Sequence, residues 1–168
     1  MTTPNNKTIA FVMTPACLWV SPETSVADAA KMMRDQDIGF LPVAENDRLI
    51  GTLTDRDIVI RIVASKREAT EIPVRDAMTK KVYYCFDDQD IDAVTQNMAA
   101  MQVRRLPVVN RRKRLAGMVS FADLARAATP QVFVNAEKQI TAKPVKTATQ
   151  MPNNLQARAS ARNSNCWS

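Results

Sequence analysis

The chain of 168 residues contains no histidine. That excludes a His-based catalytic triad, a histidine metal site and an imidazole proton shuttle. Cysteine is nearly absent as well. Cys17, Cys85 and Cys166 lie far apart, form no CxxC pair, and being three cannot all pair within the chain. A thiolate zinc site is not expected, and the three read as reduced thiols of a cytoplasmic protein. Aromatic residues make up only 5%, so Val, Ile, Leu, Met and Ala must build the core. No apolar run approaches the roughly 20 residues that a membrane span needs. The opening MTTPNNKTIAFVMTP has neither the basic start nor the apolar core of a secretory signal.

What is present is the balance of a soluble globular protein, 46% hydrophobic and 24% charged. The net charge of +6 is unevenly placed. Residues 1–128 carry 18 Lys/Arg against 16 Asp/Glu, and residues 129–168 carry 5 against 1. The body is thus nearly neutral and most of the basicity sits in the tail. A basic pI as a sign of nucleic-acid binding loses weight accordingly.

The most informative feature is internal repetition. Met13-Thr14 matches Met78-Thr79, and Leu41-Pro42-Val43 matches Leu106-Pro107-Val108, both at an offset of 65. Gly51, Thr54 and Asp57 match Gly117, Ser120 and Asp123 at an offset of 66. The extra residue falls in the polar stretch Asn110-Arg111-Arg112-Lys113-Arg114, as a surface hairpin loop would tolerate.

Each copy reads as strand, helix, strand, strand, helix. In the first copy these are Leu18–Val20, Ser25–Gln36, Phe40–Ala44, Leu49–Leu53 and Asp55–Ser65. Val26, Ala29, Ala30 and Met33 lie at helical spacing in the first helix, and Ile58, Ile62 and Val59 in the second. Ser25 followed by Asp28 marks a helix start. In the second copy the elements are Val82–Cys85, a helix lined by Ile91, Val94, Met98 and Met101, then Leu106–Val109, Leu115–Val119 and Phe121–Ala128. Met32, Met33, Met98 and Met101 read as core filling. A single copy would be marginally stable, and two packed sheet to sheet would share one core. The expected organisation is a first repeat at 1–65, a polar linker at 66–73, a second repeat at 74–128, and a basic, low-complexity, flexible extension at 129–168. Within that extension, Gln131–Val134 reads as a possible short strand.

Both copies carry Gly-x-x-(Thr/Ser)-x-x-Asp where an apolar strand leads into a helix. Such a turn gathers free backbone N–H groups and the positive end of the helix dipole at one point, which suits a phosphate. Thr54 or Ser120 can add a hydroxyl contact, and Asp57 or Asp123 can accept two hydrogen bonds from a ribose diol. The same residues also spell a capping box, which satisfies helix N-terminal donors and nothing more. Both readings stand on the tetrad alone.

The whole arrangement, Met-Thr, helix, Leu-Pro-Val, turn, Gly-x-x-(Thr/Ser)-x-x-Asp, closely resembles the cystathionine-β-synthase (CBS) domain over roughly residues 9–128. Two in tandem resemble the CBS pair, or Bateman module. The resemblance implies an α+β fold with two repeats related by a pseudo-two-fold axis around clefts. It implies regulatory binding of AMP, ADP, ATP or S-adenosylmethionine rather than catalysis, homodimerisation, and an output through that dimer or an effector protein. By the same resemblance Asp57 and Asp123 would hold ribose hydroxyls, and Thr54 and Ser120 would lie near phosphate. Backbone around Ile38, Leu41 and Pro42, and around Val103, Leu106 and Pro107, would line the adenine slot. The loops at Thr14 and Thr79 would close the cleft. Arg104 and Arg105 would reach phosphates in the second copy, where the first copy has Gly39-Phe40. Arg56 would take that part in the first, where the second has Ala122.

An enzyme is not expected: no nucleophile is paired with a base, and neither a metal cluster nor a Walker-type loop occurs. The alternative is a nucleic-acid-binding protein using Arg111-Arg112-Lys113-Arg114 and the basic tail.

Overall fold

A computed structural model describes residues 8–142. Cys166, and the reading of residues 143–168 as a flexible extension, lie outside the described residues. The chain is α+β and forms two compact units that cut across the sequence repeats. Among the described residues one unit is 18–82 and the other combines 8–17 with 83–142.

In the unit 18–82, helix α1 (Val26–Asp35) starts where the sequence places it. The Ser25 hydroxyl accepts from the Asp28 amide at 3.1 Å and donates to the Asp28 carboxylate at 2.9 Å. Strands β2 (Phe40–Glu45) and β3 (Arg48–Thr54) pair antiparallel, with a bulge after Val43. Their turn residues Asn46 and Asp47 have φ of 50° and 62°, the left-handed pair of a two-residue hairpin. Helix α2 (Asp55–Ile58) continues as a π-helical turn, Val59–Val63. The expected regular helix over 55–65 is therefore interrupted. Ile58 and Ile62 are buried, but Val59 is 55% exposed, because the wider π turn rotates it off the inner face. Leu18–Val20 makes only a single parallel bridge, Val20 to Val43. Residues 66–73 are not loose: Ile72 is buried, and its carbonyl accepts the Val26 amide at 2.8 Å. Helix α3 (Val74–Ala77) closes the unit.

In the other unit a four-stranded sheet has the order β1-β6-β5-β4. The strands are β1 (Thr14–Pro15), β4 (Cys85–Phe86), β5 (Arg105–Val109) and β6 (Leu115–Ser120). The expected strand Val82–Cys85 is thus shorter and shifted. Helix α4 (Ile91–Met101) follows the repeat pattern, and α5 (Phe121–Ala125) starts where expected but ends three residues before Ala128. The bulge recurs after Val108, 65 residues after the first.

Residues 130–141 form helix α6 (Pro130–Thr141), not a strand or a loose segment. Pro130 stands in its first turn, where a missing N–H costs nothing. Ala136 is buried, and Phe133 stacks on Phe121 at 4.8 Å between centroids. The Thr129 amide and hydroxyl donate to Asp92, and the Gln102 side-chain amide donates to the Gln139 and Ala142 carbonyls. A cavity of about 260 Å³ between α4 and α6 is lined by Gln96, Val132, Asn135, Ala136 and Gln139; no expected site residue borders it.

The buried residues form a cluster within each unit. One is built around Val26, Leu41, Leu53 and Ile62, the other around Ile9, Ile91, Met98, Leu106 and Leu124. Met33 and Met98 are buried and Met32 and Met101 pack against the clusters, so the methionines fill the core as read. No helix among the described residues is long and apolar enough to cross a membrane.

The Met-Thr segments explain why units and repeats differ. Thr14 pairs with Met118, and Pro15 with Gly117, on β6 of the second repeat. Thr79 pairs with Thr52 on β3 of the first. Each segment crosses the sheet at the motif glycine, and a Cβ there would intrude. At Gly117 it would overlap the Thr14 carbonyl oxygen, and at Gly51 it would lie 2.6 Å from the Met78 sulfur and 3.3 Å from the Thr79 carbonyl oxygen. A thioether swings aside more easily than a paired backbone. Gly117→Ala is therefore expected to destabilise the chain by about 1–3 kcal/mol in denaturant titrations, and Gly51→Ala by less. The reverse order would show that β1 yields more readily than Met78.

Candidate functional site

Both copies of Gly-x-x-(Thr/Ser)-x-x-Asp stand at the junction of strand and helix. Thr54 and Ser120 are the N-caps, each in extended backbone geometry. The Thr54 hydroxyl accepts from the Asp57 amide at 3.0 Å, and Asp57 Oδ2 accepts from the Thr54 amide at 3.0 Å and hydroxyl at 2.7 Å. In the second copy the Ser120 hydroxyl accepts from the Asp123 amide at 3.2 Å, and Asp123 Oδ2 accepts from Ser120 N at 2.8 Å and Oγ at 2.6 Å. Both tetrads are complete capping boxes. Removal of such a cap costs about 1 kcal/mol.

Capping uses one carboxylate oxygen and leaves the other. Asp57 Oδ1 lies 3.2 Å from an Arg61 guanidinium nitrogen. Asp123 Oδ1 takes no hydrogen bond among the described residues. Both aspartates are half-buried. Arg61 was not singled out by sequence reasoning. Its guanidinium also donates to the Ala77 carbonyl at 2.5 Å and to the Thr79 hydroxyl at 3.0 Å. It therefore gathers two expected site residues, Asp57 and Thr79, in one network. Its position four residues after Asp57 was the available signal.

The remaining candidates divide by what they can offer. Leu41 and Leu106 send their side chains into the two cores, and Pro42 and Pro107 are buried, so these positions offer backbone at most. Ile38 and Val103 are partly buried against the same clusters. The Gly39 carbonyl accepts the Asp55 amide at 3.2 Å, and the Arg104 carbonyl accepts the Phe121 amide at 2.9 Å, so each Leu-Pro strand is tied at its start to its motif helix. The side chains of Arg56, Arg104 and Arg105 are exposed and form no ion pair among the described residues. Only the Arg56 amide, not its guanidinium, meets Asp55. Thr14 is exposed on β1.

The basic hairpin is partly occupied by its own unit. Arg111 pairs with Asp88 at 2.7 Å, which holds its pKa above the ordinary arginine value, and its guanidinium lies 4.3 Å from the Phe86 centroid. Lys113 donates to the Tyr84 hydroxyl and lies over the Tyr84 and Phe86 rings. The Asn110 side chain accepts the Arg112 and Arg114 amides and holds the loop shape. Such cation–π pairs hold the cations against the sheet and leave less of the run for a phosphate backbone.

The family is now plain. The family model for the CBS domain matches residues 9–64 and 74–129, and the chain belongs to that family as a tandem pair. It is 36% identical over 113 residues to the CBS domain-containing protein YhcV of Bacillus subtilis, covering 67% of this chain and 79% of that protein. It is 35% identical over 130 residues to Hypoxic response protein 1 of Mycobacterium tuberculosis, covering 77% and 90%. A solved structure of Hypoxic Response Protein I with two coordinated zinc ions superposes with a TM-score of 0.64 at 36% identity, covering 71% of this chain and 97% of that one. CBSX2 in complex with AMP superposes with a TM-score of 0.63 at 27% identity, covering 72% and 95%.

Two thiols fall among the described residues, Cys17 and Cys85, and both are free. Burial pushes the Cys85 thiol up to about 12 and also raises Cys17. A thiol that stays protonated is a poor nucleophile. Iodoacetamide at about pH 8 is expected to leave Cys85 unmodified in the folded chain and to alkylate it in denaturant. Modification of native Cys85, found by peptide mapping, would contradict its burial.

Proposed function

We propose that each strand-to-helix turn is a regulatory adenosine-nucleotide site, for AMP, ADP, ATP or S-adenosylmethionine, and that the chain acts as an energy or ligand sensor rather than an enzyme. The observation that carries this reading is the division of labour within each aspartate. One oxygen completes the cap, and the second lies outside it, open in Asp123 and paired with Arg61 in Asp57. A carboxylate oxygen held rigidly by its partner's cap is a preorganised acceptor for a ribose hydroxyl. In this reading Asp57 and Asp123 hold the diols, and Thr54 and Ser120 border the phosphates. The unpaired Arg104 and Arg105 supply positive charge in the second site and Arg56 in the first. Backbone at Ile38, Leu41 and Pro42, and at Val103, Leu106 and Pro107, borders the adenine, with Thr14 and Thr79 beside it. The AMP bound by CBSX2, a protein of the same fold, supports the ligand class.

The output we propose is self-association or an effector protein. Val59, Ile60 and Val63 on the π turn are 55%, 50% and 62% exposed, and such an apolar strip suits a homodimer contact. Binding that favours one arrangement shifts the equilibrium toward it.

Calorimetric titration with AMP and ATP tests the sites. Asp57→Ala and Asp123→Ala are each expected to remove binding at one site, with affinity there falling at least about tenfold, since each loses a charge-assisted hydrogen bond. Unchanged stoichiometry and affinity in both variants would refute the ribose role.

A further inference from the structure

The two copies of the motif are alike in their caps and unlike one step beyond. Asp57 has both oxygens engaged: Oδ2 by Thr54 and Oδ1 by Arg61 at 3.2 Å. At the position equivalent to Arg61, 66 residues on, the second copy has Ala127, and Asp123 Oδ1 takes no hydrogen bond among the described residues. Arg61 sits at the centre of the π-helical turn Val59–Val63, a backbone geometry that helices adopt rarely and mostly in single turns. A guanidinium has five donors in a rigid fork. Arg61 spends three contacts at once, on Asp57, on the Ala77 carbonyl and on the Thr79 hydroxyl. The last two flank Met78: Ala77 ends α3, and the Thr79 backbone pairs with Thr52 through bonds of 3.0 and 2.8 Å.

We propose that Arg61 is a latch on the first site: a ribose diol reaches Asp57 Oδ1 only by displacing the guanidinium, and that displacement loosens the Met78–Thr79 segment, whereas the Asp123 site opens without any exchange.

This inference rests on the reading of Asp57 as a diol acceptor. Two consequences follow from the geometry. The sites fill in order, Asp123 before Asp57, for any ligand whose main contact is the diol. Only the first site couples occupancy to the segment that leads into the second repeat. The pair is half-exposed, Arg61 at 40% and Asp57 at 17%, so the latch is weak enough for a ligand to open.

The test uses adenosine, which has the diol and lacks phosphate, so that direct attraction between a phosphate and Arg61 does not enter. Full-length chain is titrated by calorimetry as wild type, Asp123→Ala, Asp123→Ala with Arg61→Gln, and Asp123→Ala with Arg61→Lys. Removing the latch is expected to raise adenosine affinity at the first site about two- to fivefold, with the lysine variant, which keeps the charge but not the fork, in between. Hydrogen exchange adds a second readout. Adenosine is expected to speed exchange of the Thr79 amide when Arg61 is present, and to leave it unchanged in Arg61→Gln, where that amide is already fast. Equal or lower adenosine affinity in Arg61→Gln overturns the latch and leaves the diol reading intact. Absence of adenosine binding in Asp123→Ala that Arg61→Gln fails to restore overturns the latch together with the diol reading of Asp57. A wild-type chain that binds neither adenosine nor AMP overturns the diol reading, and the latch with it.

Discussion

The structure turns on one hydrogen-bonding problem, posed twice. A strand that runs straight into a helix leaves the first backbone amides of that helix without partners. Thr54 with Asp57, and Ser120 with Asp123, answer it with reciprocal bonds between 2.6 and 3.2 Å. Because the aspartate reaches back to the N-cap amide, its carboxylate is fixed at the lip of the turn with little freedom. The cap that stabilises the junction is also what makes the second oxygen a fixed acceptor. Under the proposed reading, capping and ligand binding, which compete as readings of the tetrad, become successive uses of one side chain.

The close approach of the Met-Thr segments depends on the same junctions. Each segment pairs with the strand that ends in a cap, Pro15 with Gly117 and Thr79 with Thr52 beside Gly51. A Cβ at either glycine would crowd the segment, and neither glycine has positive φ, so the requirement is space rather than backbone conformation. Pairing a segment from before one repeat with the sheet of the other gives each unit strand contacts that its own repeat does not supply. For units this small, whose buried fraction is low, such borrowed pairing is worth having.

Much of this was legible in the sequence because it is repeated. The offset of 65 fixed Leu41-Pro42 against Leu106-Pro107, and the shift to 66 located the longer hairpin at 110–114, whose strands close on Val109 and Leu115 where the first continue past Ala44 and Leu49 to Glu45 and Arg48. Helix α1 was readable from Ser25 and its apolar spacing. What was not legible depended on partners distant in the chain. The exchange of Met-Thr segments leaves the motif order unchanged, so nothing in that order betrays it. The π turn has no compositional mark, and its effect on Val59 follows from backbone geometry alone. Helix α6 did carry a signal, Pro130 at the start and Val132, Ala136 and Ile140 four apart, but it is diluted by the polar composition around it.

Duplication ordinarily suggests two equivalent sites, yet the physical differences here accumulate in one direction. The first copy carries Arg61, the π turn that holds it and an exposed apolar strip beside it. The second carries Arg104-Arg105, an alanine in place of Arg61, and a helix, α6, that packs on α4 and stacks Phe133 on Phe121. One copy has its acceptor engaged and a hydrophobic edge uncovered. The other has its acceptor open and a helix laid over its helical side. A sensor needs such inequality, because two sites that bind and respond alike report only the presence of ligand. Under the proposed reading, unequal affinity, with only one site tied to the Met78–Thr79 segment, would let the chain bind at low concentration and change its surface at high concentration. The chemistry that separates the two copies is the charge at position 61, one turn beyond an aspartate that both share.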